Sequence, residues 1–487
     1  MSKLKVFSIG LLMLLSFFFI VPGHADTHTA ISCSVSDVSF AITAATTGDI
    51  VSVPAGDCTW NSAVSISKGI QLIGAGIGKT NITCSTPYCI YSDGGAANNV
   101  RVSGFTFNYA GSGAYLVVMN GTGWRVDHNR LIGGLGDGES VVGRSNVSGM
   151  FPYGLVDHNQ MQNLGVLVMG SYAMLGENNQ QHVLWAQNPA MGGTAYVYIE
   201  DNTFTKTVDG VSNAVDANYG GRYVFRYNTI TTNAGLNTAL YLENHSVQGN
   251  NRATQRWEIY GNIINNLSSN VYYPFRIRGG TGVILYNSVI GNWTVDGIAF
   301  DNVRSYSAVG DGGLCNGVST WDGNEDAYGY PCRDQIGRGY DTVLWSHSPV
   351  GAYAQPIMPA YGAINRTESN TEVPFEVINN SANHIKANRD YYGYNASFDG
   401  TTGVGAGTLA ARPATCTTGV GYWATNQNTS SLTGMVGVDP ATPISGTLYK
   451  CTATNTWTLY FTPYTYPHPL TALSPVTVPS PPNVMIK

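Results

Sequence analysis

The chain has 487 residues, only 11% of them charged, and a formal net charge of −6. Ordinary globular proteins contain roughly 25% charged residues. The acidic balance argues against nucleic acid or an anionic surface as a partner.

The first 25 residues have the pattern of a secretory signal peptide. Lys3 and Lys5 precede an apolar run over residues 6–21, and small residues lead up to a predicted cleavage site after Ala25. Removing residues 1–25 takes away two lysines and no acid, so the formal charge becomes −6 − 2 = −8. No later apolar segment is long enough to cross a bilayer. We therefore expect a secreted, extracellular or periplasmic protein without a membrane span.

Between residues 100 and 290 a short apolar–polar alternation recurs seven times and usually closes on an asparagine. The closing positions are Phe105, Asn129, Asn159, Asn202, Asn228, Asn262 and Asn287. A repeat near 25 residues with variable insertions indicates a solenoid, and alternation with a period of two indicates strands. The sequence predicts an all-β right-handed parallel β-helix over residues 26–400. We expect the recurring asparagines to stack as an amide ladder.

The remaining segments are predicted from composition. A Gly-, Asp- and Tyr-rich insertion interrupts the coils over about residues 303–365. Residues 401–470 are Gly/Thr/Tyr-rich and are predicted to form a cap packed on the solenoid. Residues 471–487 contain four prolines and are expected to form a loose tail.

All eight cysteines lie after the predicted signal peptide, and an even number in an oxidising compartment favours disulfides over a catalytic thiol or a zinc site. Proximity in the sequence suggests four pairs, although other pairings stay open. These pairs are Cys33–Cys58, Cys84–Cys89, Cys315–Cys332 and Cys416–Cys451.

A second strand follows three of the ladder positions at a distance of about 14 residues. If the apolar residues of these strands point inward, alternation places a set of polar residues on the outer face. The inward set is Val215, Leu240, Leu242, Phe275 and Ile277, and the outward set is Asp216, Tyr241, Glu243, His245, Arg276 and Arg278. Because adjacent coils lie about 4.8 Å apart, two carboxylates and a guanidinium would face a single substrate.

Several segments resemble secreted bacterial β-helix proteins of the pectin-lyase-like superfamily. They are the opening DIVSVPAGDCTW and IQLIGAGIG, the insertion GYPCRDQIGRG, and the closing GVGAGTLAARPATC and YKCTATNTWTLYFTPYTYPHPL. The resemblance covers nearly the whole chain after residue 25 and implies the fold. It leaves the activity open, because the superfamily includes lyases, hydrolases, esterases and non-enzymatic surface proteins.

The segment YPFRIRGG (Tyr273–Gly280) is similar to the RxPxxRxG motif of pectate lyases, which cleave uronic-acid polymers by calcium-assisted β-elimination. It departs from the motif, because Pro274 lies four residues before Arg278 instead of three and Tyr272 replaces the leading Arg. The resemblance implies that Arg278 abstracts the proton while Arg276 binds a substrate carboxylate.

The other site residues are assigned by chemistry. Hard carboxylate oxygens on neighbouring coils suit Ca²⁺, so Asp216 and Glu243 are the predicted metal ligands. His245 is a further catalytic candidate, and Tyr241 and Trp321 are candidates for substrate binding. We expect an acidic polysaccharide as the partner and a monomeric protein.

Other interpretations stay open. The outward arginines could pair with Asp216 and Glu243 as a purely structural network. A glycoside hydrolase of the same fold would need two carboxylates, which Glu200–Asp201, Asp216 and Glu243 could supply, but the Asp-Asp and Gly-His-Gly motifs of such enzymes are absent. A non-catalytic glycan-binding or structural surface protein is the third interpretation.

Three minor signals are interpreted structurally. His128 and His158 recur before ladder asparagines, which favours a stacked pair over catalysis. The run Asp322–Asp326 imitates the start of a calcium loop but lacks its later ligands, so an EF-hand is excluded. Trp321 would either stack on a sugar ring or pack within the insertion.

Overall fold

The computed structural model describes most of the chain between residues 25 and 472. The described ranges are 25–93, 99–109, 115–134, 138–145, 150–171, 178–210, 212–235, 240–248, 251–268, 273–293, 297–308, 313–316, 321–322, 332–345, 355–428 and 442–472. The predicted signal peptide up to residue 24, Tyr272, and the tail from residue 473 lie outside these residues.

Three long sheets, each made only of parallel strands, form a right-handed parallel β-helix, as predicted. Strands are numbered along the chain, and each coil from β2 to β31 contributes one strand to each sheet, whereas β1 and β32 belong to sheet 1 alone. Sheet 1 contains β1 (Thr27–Thr29), β2 (Ile50–Val53), β5 (Gln71–Gly74), β8 (Arg101–Ser103), β11 (Thr122–Asp127), β14 (Tyr153–Asp157), β17 (Val197–Glu200), β20 (Arg222–Arg226), β23 (Arg256–Tyr260), β26 (Thr281–Leu285), β29 (Ala360–Ala363) and β32 (Tyr391–Tyr392).

Sheet 2 contains β3 (Gly56–Trp60), β6 (Thr80–Cys84), β9 (Thr106–Tyr109), β12 (Arg130–Gly133), β15 (Gln160–Gln162), β18 (Thr203–Lys206), β21 (Thr229–Thr232), β24 (Ile263–Asn266), β27 (Ser288–Gly291) and β30 (Arg366–Thr367). Sheet 3 contains β4 (Val64–Ile66), β7 (Ile90–Ser92), β10 (Tyr115–Asn120), β13 (Glu139–Arg144), β16 (Gly165–Met169), β19 (Ser212–Asn218), β22 (Leu240–Asn244), β25 (Phe275–Ile277), β28 (Ile298–Phe300) and β31 (Phe375–Val377). The inward side chains of the three sheets form one continuous apolar core.

The asparagine ladder runs along the turn between sheets 1 and 2. Each asparagine donates from Nδ2 to Oδ1 of the next one, over 2.8–3.2 Å, from Asn129 through to Asn365. The backbone nitrogen of Phe105 donates to Asn129 at the start, and Glu372 accepts from the nitrogen of Asn365 at the end. Each ladder asparagine is almost fully buried and fully hydrogen-bonded, so the ladder replaces water at the corner of the coil.

The residue before each ladder asparagine has a left-handed backbone, which makes the corner sharp. His128, His158 and Tyr227 have φ of 53°, 55° and 59°, and glycine occupies this place at Gly104 and Gly261. Non-glycine residues adopt such φ values only at an energetic cost. The ladder hydrogen bonds that follow offset that cost.

Helix α1 (Val35–Ala44) covers the N-terminal end of the core. Ser34 caps it by accepting from the nitrogen of Asp37, and Val38, Ala41 and Ile42 are buried against the first coils. A second helix, α2, spans Asn178–Trp185. Short 3₁₀ turns occur at Val303–Ser305, Ser381–Asn383, Leu409–Ala411 and Pro469–Ala472.

A separate four-stranded sheet packs on the outer face of sheet 1. It contains β33 (Val404–Gly407), β34 (Gly421–Ala424), β35 (Thr447–Ala453) and β36 (Thr456–Phe461). Its apolar side chains, including Trp423 and Phe461, form a second core with outward residues of sheet 1 such as Tyr260 and Tyr361. The polypeptide after β36 then continues along sheet 1, where Arg226 donates to the carbonyl of Tyr464 over 2.7 Å.

The insertion packs on the solenoid through buried ion pairs. Arg252 lies 2.7 Å from Asp334 and 2.8 Å from Asp341, and all three side chains are fully buried. Sheet 1 resumes at Ala360, so the interruption ends earlier than the predicted residue 365.

All four predicted disulfides are present, and none of the described cysteines is free. They are Cys33–Cys58, Cys84–Cys89, Cys315–Cys332 and Cys416–Cys451. Cys33–Cys58 links the segment before α1 to β3, and Cys84–Cys89 joins the end of β6 to the start of β7 within one coil. Cys416–Cys451 links the segment before β34 to β35. Four disulfides are expected of a protein that folds in an oxidising compartment. Within the described residues, no helix combines the length and apolar content needed to cross a bilayer.

Candidate functional site

All the predicted site residues except Trp321 lie on the outer face of sheet 3, on the consecutive strands β19, β22 and β25 and at their ends. Glu243 and Arg276 are register partners, and the preceding pair, Leu242 and Phe275, points into the core. Val215 and Ile277 are also in the core, whereas the side chain of Leu240 lies outside the described residues. The period-two alternation therefore assigned these faces correctly.

Four polar side chains form a continuous series of contacts across three coils. His245 Nε2 lies 3.0 Å from Asp216 Oδ2, and His245 Nδ1 lies 3.1 Å from Arg278 Nη2. Arg278 Nη2 also lies 2.6 Å from Glu243 Oε1. Because a guanidinium can only donate, His245 Nδ1 must accept from Arg278. With Nδ1 as the acceptor, His245 Nε2 is the atom that donates to Asp216 Oδ2.

Arg276 lies beside these four side chains. Its main partner is Asp301, a residue that was not predicted from the sequence. Its Nη2 is 3.0 Å from Asp301 Oδ2, and its Nη1 is 3.6 Å from Glu243 Oε1. Burial acts to lower the pKa of Arg276, but the carboxylates of Glu243 and Asp301 outweigh it and raise that pKa above its usual range. Asp301 follows Arg276 by 25 residues, one coil period, so the spacing could have revealed it.

A pocket of about 260 Å³ opens beside the cluster. Glu139, Asn213, Asp216, Tyr241, Glu243 and His245 are among its lining residues. Tyr241 donates from its hydroxyl to Glu243 Oε2 over 3.3 Å, and Asn213 Nδ2 donates to the same oxygen over 3.1 Å. Burial, and then the negative charge of Glu243, raise the pKa of Tyr241, so its hydroxyl keeps its proton at neutral pH.

The donor atoms in this pocket fit a divalent cation. One ligand atom from each of Asp216, Glu243 and His245 lies within 4.8 Å of the other two. Asp216 Oδ1 and Asn213 Oδ1 are buried oxygens without a hydrogen-bond donor. A buried oxygen without a donor is unfavourable, and a cation is one partner that would satisfy such an oxygen.

One predicted site residue is wrongly assigned. Trp321 is fully buried in a cluster with Trp185 and Trp345, so no sugar ring can stack on it. It packs the insertion against the solenoid, because the indole is the largest apolar side chain available to fill that space.

Two other sets of residues lie away from the pocket. Glu200 pairs with Arg226 on sheet 1, and Asp201 accepts from Tyr466 beneath the C-terminal polypeptide. The rings of His128 and His158 stack with centroids 4.9 Å apart, and the Nδ1 of each contacts its own preceding aspartate.

A larger pocket of about 420 Å³ lies at the C-terminal end of the solenoid. Its acid, Glu372, already accepts from Asn365 and pairs with Arg366 over 2.9 Å. That carboxylate completes the asparagine ladder, so the pocket offers less unused polar chemistry than the cluster on sheet 3.

The fold and the site together define a disulfide-bonded right-handed parallel β-helix with a charged cluster on one outer face. No family model matches the chain, and no curated protein is significantly similar to it. A function must therefore be argued from the chemistry of that cluster.

Proposed function

We propose that this protein is a secreted polysaccharide lyase of the pectin-lyase-like superfamily, which cleaves an acidic, uronic-acid polymer by cation-assisted β-elimination. The observation that carries the proposal is the open pocket on sheet 3, where two guanidinium groups lie beside two carboxylates, a tyrosine and a histidine. β-Elimination removes the proton next to a carboxylate, so it needs cationic groups that stabilise the developing charge.

Arg276 is the group suited to holding a substrate carboxylate. Its side chain is 24% exposed, and its raised pKa keeps it charged at every physiological pH. A planar guanidinium binds a carboxylate with two parallel hydrogen bonds. Asp301 and Glu243 orient it from below, on the neighbouring strands.

Arg278 occupies the position that the resemblance assigns to proton abstraction. A guanidinium has no lone pair to accept a proton, so Arg278 must first transfer one to a neighbour. Glu243 Oε1, 2.6 Å away, is the acceptor within reach. Tyr241, whose hydroxyl keeps its proton at neutral pH, would protonate the leaving glycosidic oxygen and regain a proton from Glu243, whose Oε2 accepts from that hydroxyl over 3.3 Å.

Asp216 and Glu243 are the residues that would hold the divalent cation, predicted from the sequence as Ca²⁺. When bound, the ion would draw negative charge from the substrate carboxylate. The chain's own contribution is to orient the substrate carboxylate through Arg276 and to supply the two proton transfers.

A glycoside hydrolase is the second candidate, and the distance between its two possible catalytic acids limits the mechanism that it could use. Asp216 and Glu243 have carboxylate oxygens within 4.8 Å of each other, which is too short for an inverting enzyme with its attacking water. Glu200 and Asp201 lie away from the pocket, so for the pair Asp216 and Glu243 a retaining mechanism stays open.

The test is incubation of the purified protein with polygalacturonate, alginate and other acidic polymers. A lyase creates an unsaturated uronide that absorbs in the ultraviolet, whereas a hydrolase creates reducing ends without that absorbance. Binding to the polymers without either product would overturn the proposal and leave a glycan-binding protein.

Arg278→Lys separates a catalytic cluster from a structural one. The substitution keeps the charge but loses the planar fork, so the proposal predicts loss of turnover with little change in the unfolding midpoint. Arg130→Lys, on the exposed face of β12, is the matched control and should change neither quantity. A destabilised Arg278→Lys variant with full activity per folded molecule would contradict the assignment.

A further inference from the structure

We infer that Asp216, Glu243 and His245 form a site for a first-row divalent cation, such as Zn²⁺ or Mn²⁺, instead of the calcium predicted from the sequence. The inference names the cation of the proposed lyase and rests on that proposal for its functional meaning. The metal site itself is argued only from the geometry of the pocket.

The first argument is the donor set. Ca²⁺ prefers six to eight oxygen ligands, whereas an imidazole together with carboxylates suits zinc and its neighbours. His245 contributes an imidazole from the end of β22, and Asp216 and Glu243 contribute carboxylates from β19 and β22.

The second argument is the spacing of the ligand atoms. Two atoms that each lie about 2.1 Å from one metal ion are about 3.0 Å apart at a right angle and about 3.4 Å apart at the tetrahedral angle. His245 Nε2 and Asp216 Oδ2 are 3.0 Å apart. Their side chains therefore need no large movement to share an ion.

The third argument is the unsatisfied oxygen. Asp216 is 8% exposed, and its Oδ1 is buried without a hydrogen-bond donor although it belongs to a residue that lines the pocket. Buried carboxylates normally accept several hydrogen bonds. Asn213 Oδ1, in the same pocket, also lacks a donor and is a candidate fourth ligand.

The test uses the full chain after treatment with a chelator. Zn²⁺, Mn²⁺ and Ca²⁺ are added separately, and binding is measured by calorimetry and by the shift of the melting temperature. We expect one Zn²⁺ per chain and at least a tenfold tighter affinity for Zn²⁺ than for Ca²⁺. Co²⁺ bound in place of Zn²⁺ should show the visible absorption of a site with nitrogen ligation.

His245→Gln should weaken Zn²⁺ binding by at least tenfold and leave Ca²⁺ binding unchanged, because it removes the imidazole alone. Asp216→Asn is the second variant and should also weaken Zn²⁺ binding, while His128→Gln, an exposed histidine outside the pocket, is the matched control. A site that prefers Ca²⁺, or unchanged Zn²⁺ affinity in folded His245→Gln, would overturn the inference. Polymer cleavage with a calcium-selective site would refute only the metal assignment, whereas Zn²⁺ binding through His245 without cleavage would refute only the lyase proposal.

Discussion

Substitution of one rung of the asparagine ladder should destabilise the solenoid strongly. Asn228 donates from Nδ2 to Ile199 O, Arg226 O and Asn262 Oδ1 over 2.9, 3.0 and 3.2 Å. Its Oδ1 accepts from the backbone nitrogen and from Nδ2 of Asn202 over 3.0 and 3.1 Å. Asn228 is 0% exposed, so water cannot replace these bonds.

The magnitude follows from the groups that lose their partners. In Asn228→Ala the buried N–H of Asn202 loses its acceptor, which costs about 1–3 kcal/mol, and a small cavity adds to it. We expect a total of about 2–4 kcal/mol. In Asn228→Asp a carboxyl group replaces the amide and faces the three oxygens that accept from Nδ2 in the native protein. Because a buried carboxylate without a cationic partner is strongly unfavourable, the loss in the free energy of unfolding rises to about 3–5 kcal/mol.

Urea unfolding measures the difference in the free energy of unfolding between each variant and the native protein, provided that the m-value stays constant. Asn108→Asp, on the exposed face of β9, makes the same chemical change without the ladder and should alter the free energy of unfolding by about 0.5 kcal/mol or less. Because solenoids can unfold in parts, hydrogen exchange of the Asn202 amide gives a local readout. Equal stability of Asn228→Asp and Asn108→Asp would refute the ladder as a source of stability.

Two further predictions concern the disulfides and a buried acid. Reduction should lower the melting temperature, because each native bridge contributes about 2–5 kcal/mol, and mass spectrometry should find no free thiol beforehand. Burial raises the pKa of Glu258 to about 8, so the folded state holds a proton that the unfolded state releases from pH ~4.5 upward. Stability should therefore fall between pH ~4.5 and 8. Glu258→Gln should reduce this fall and stabilise the protein above pH 8, and an unchanged pH profile would contradict it.

The sequence predicted the ladder because the repeat is local. Each ladder asparagine ends the same short apolar–polar pattern, so the repeat period of the coils and the residue type together identify it. The last rung, Asn365, escaped because the insertion separates it from Asn287 by 78 residues. Helix α1 also escaped, although Ser34 followed by Asp37 is the pattern of a helix N-terminus, because its buried face has only Val38, Ala41 and Ile42.

The sequence predicted which residues lie on the outer face of sheet 3. It did not predict which of these side chains contact one another. Alternation along β19, β22 and β25 is enough to place Asp216, Glu243 and Arg276 outward. The contact of His245 with Arg278 depends on side-chain rotamers 33 residues apart, which no periodicity specifies. Trp321 was misassigned because an aromatic residue in an insertion has the same local pattern whether it is buried or exposed.

Ion pairs on sheet 1 offer a comparison that bears on whether the sheet 3 cluster is structural. Arg226 and Glu200 also point outward from their sheet and form an ion pair. Both side chains are nevertheless 0% exposed, because the C-terminal polypeptide covers them. On sheet 3, Arg276 and His245 keep 24% and 22% of their side-chain surface accessible beside an open pocket. Burial of an ion pair is compensated only when the pair has good geometry and its remaining N–H groups are hydrogen-bonded, as for Arg226 on sheet 1. Charges concentrated in an uncovered pocket, in a chain with few charged residues, are better explained by a ligand that completes them.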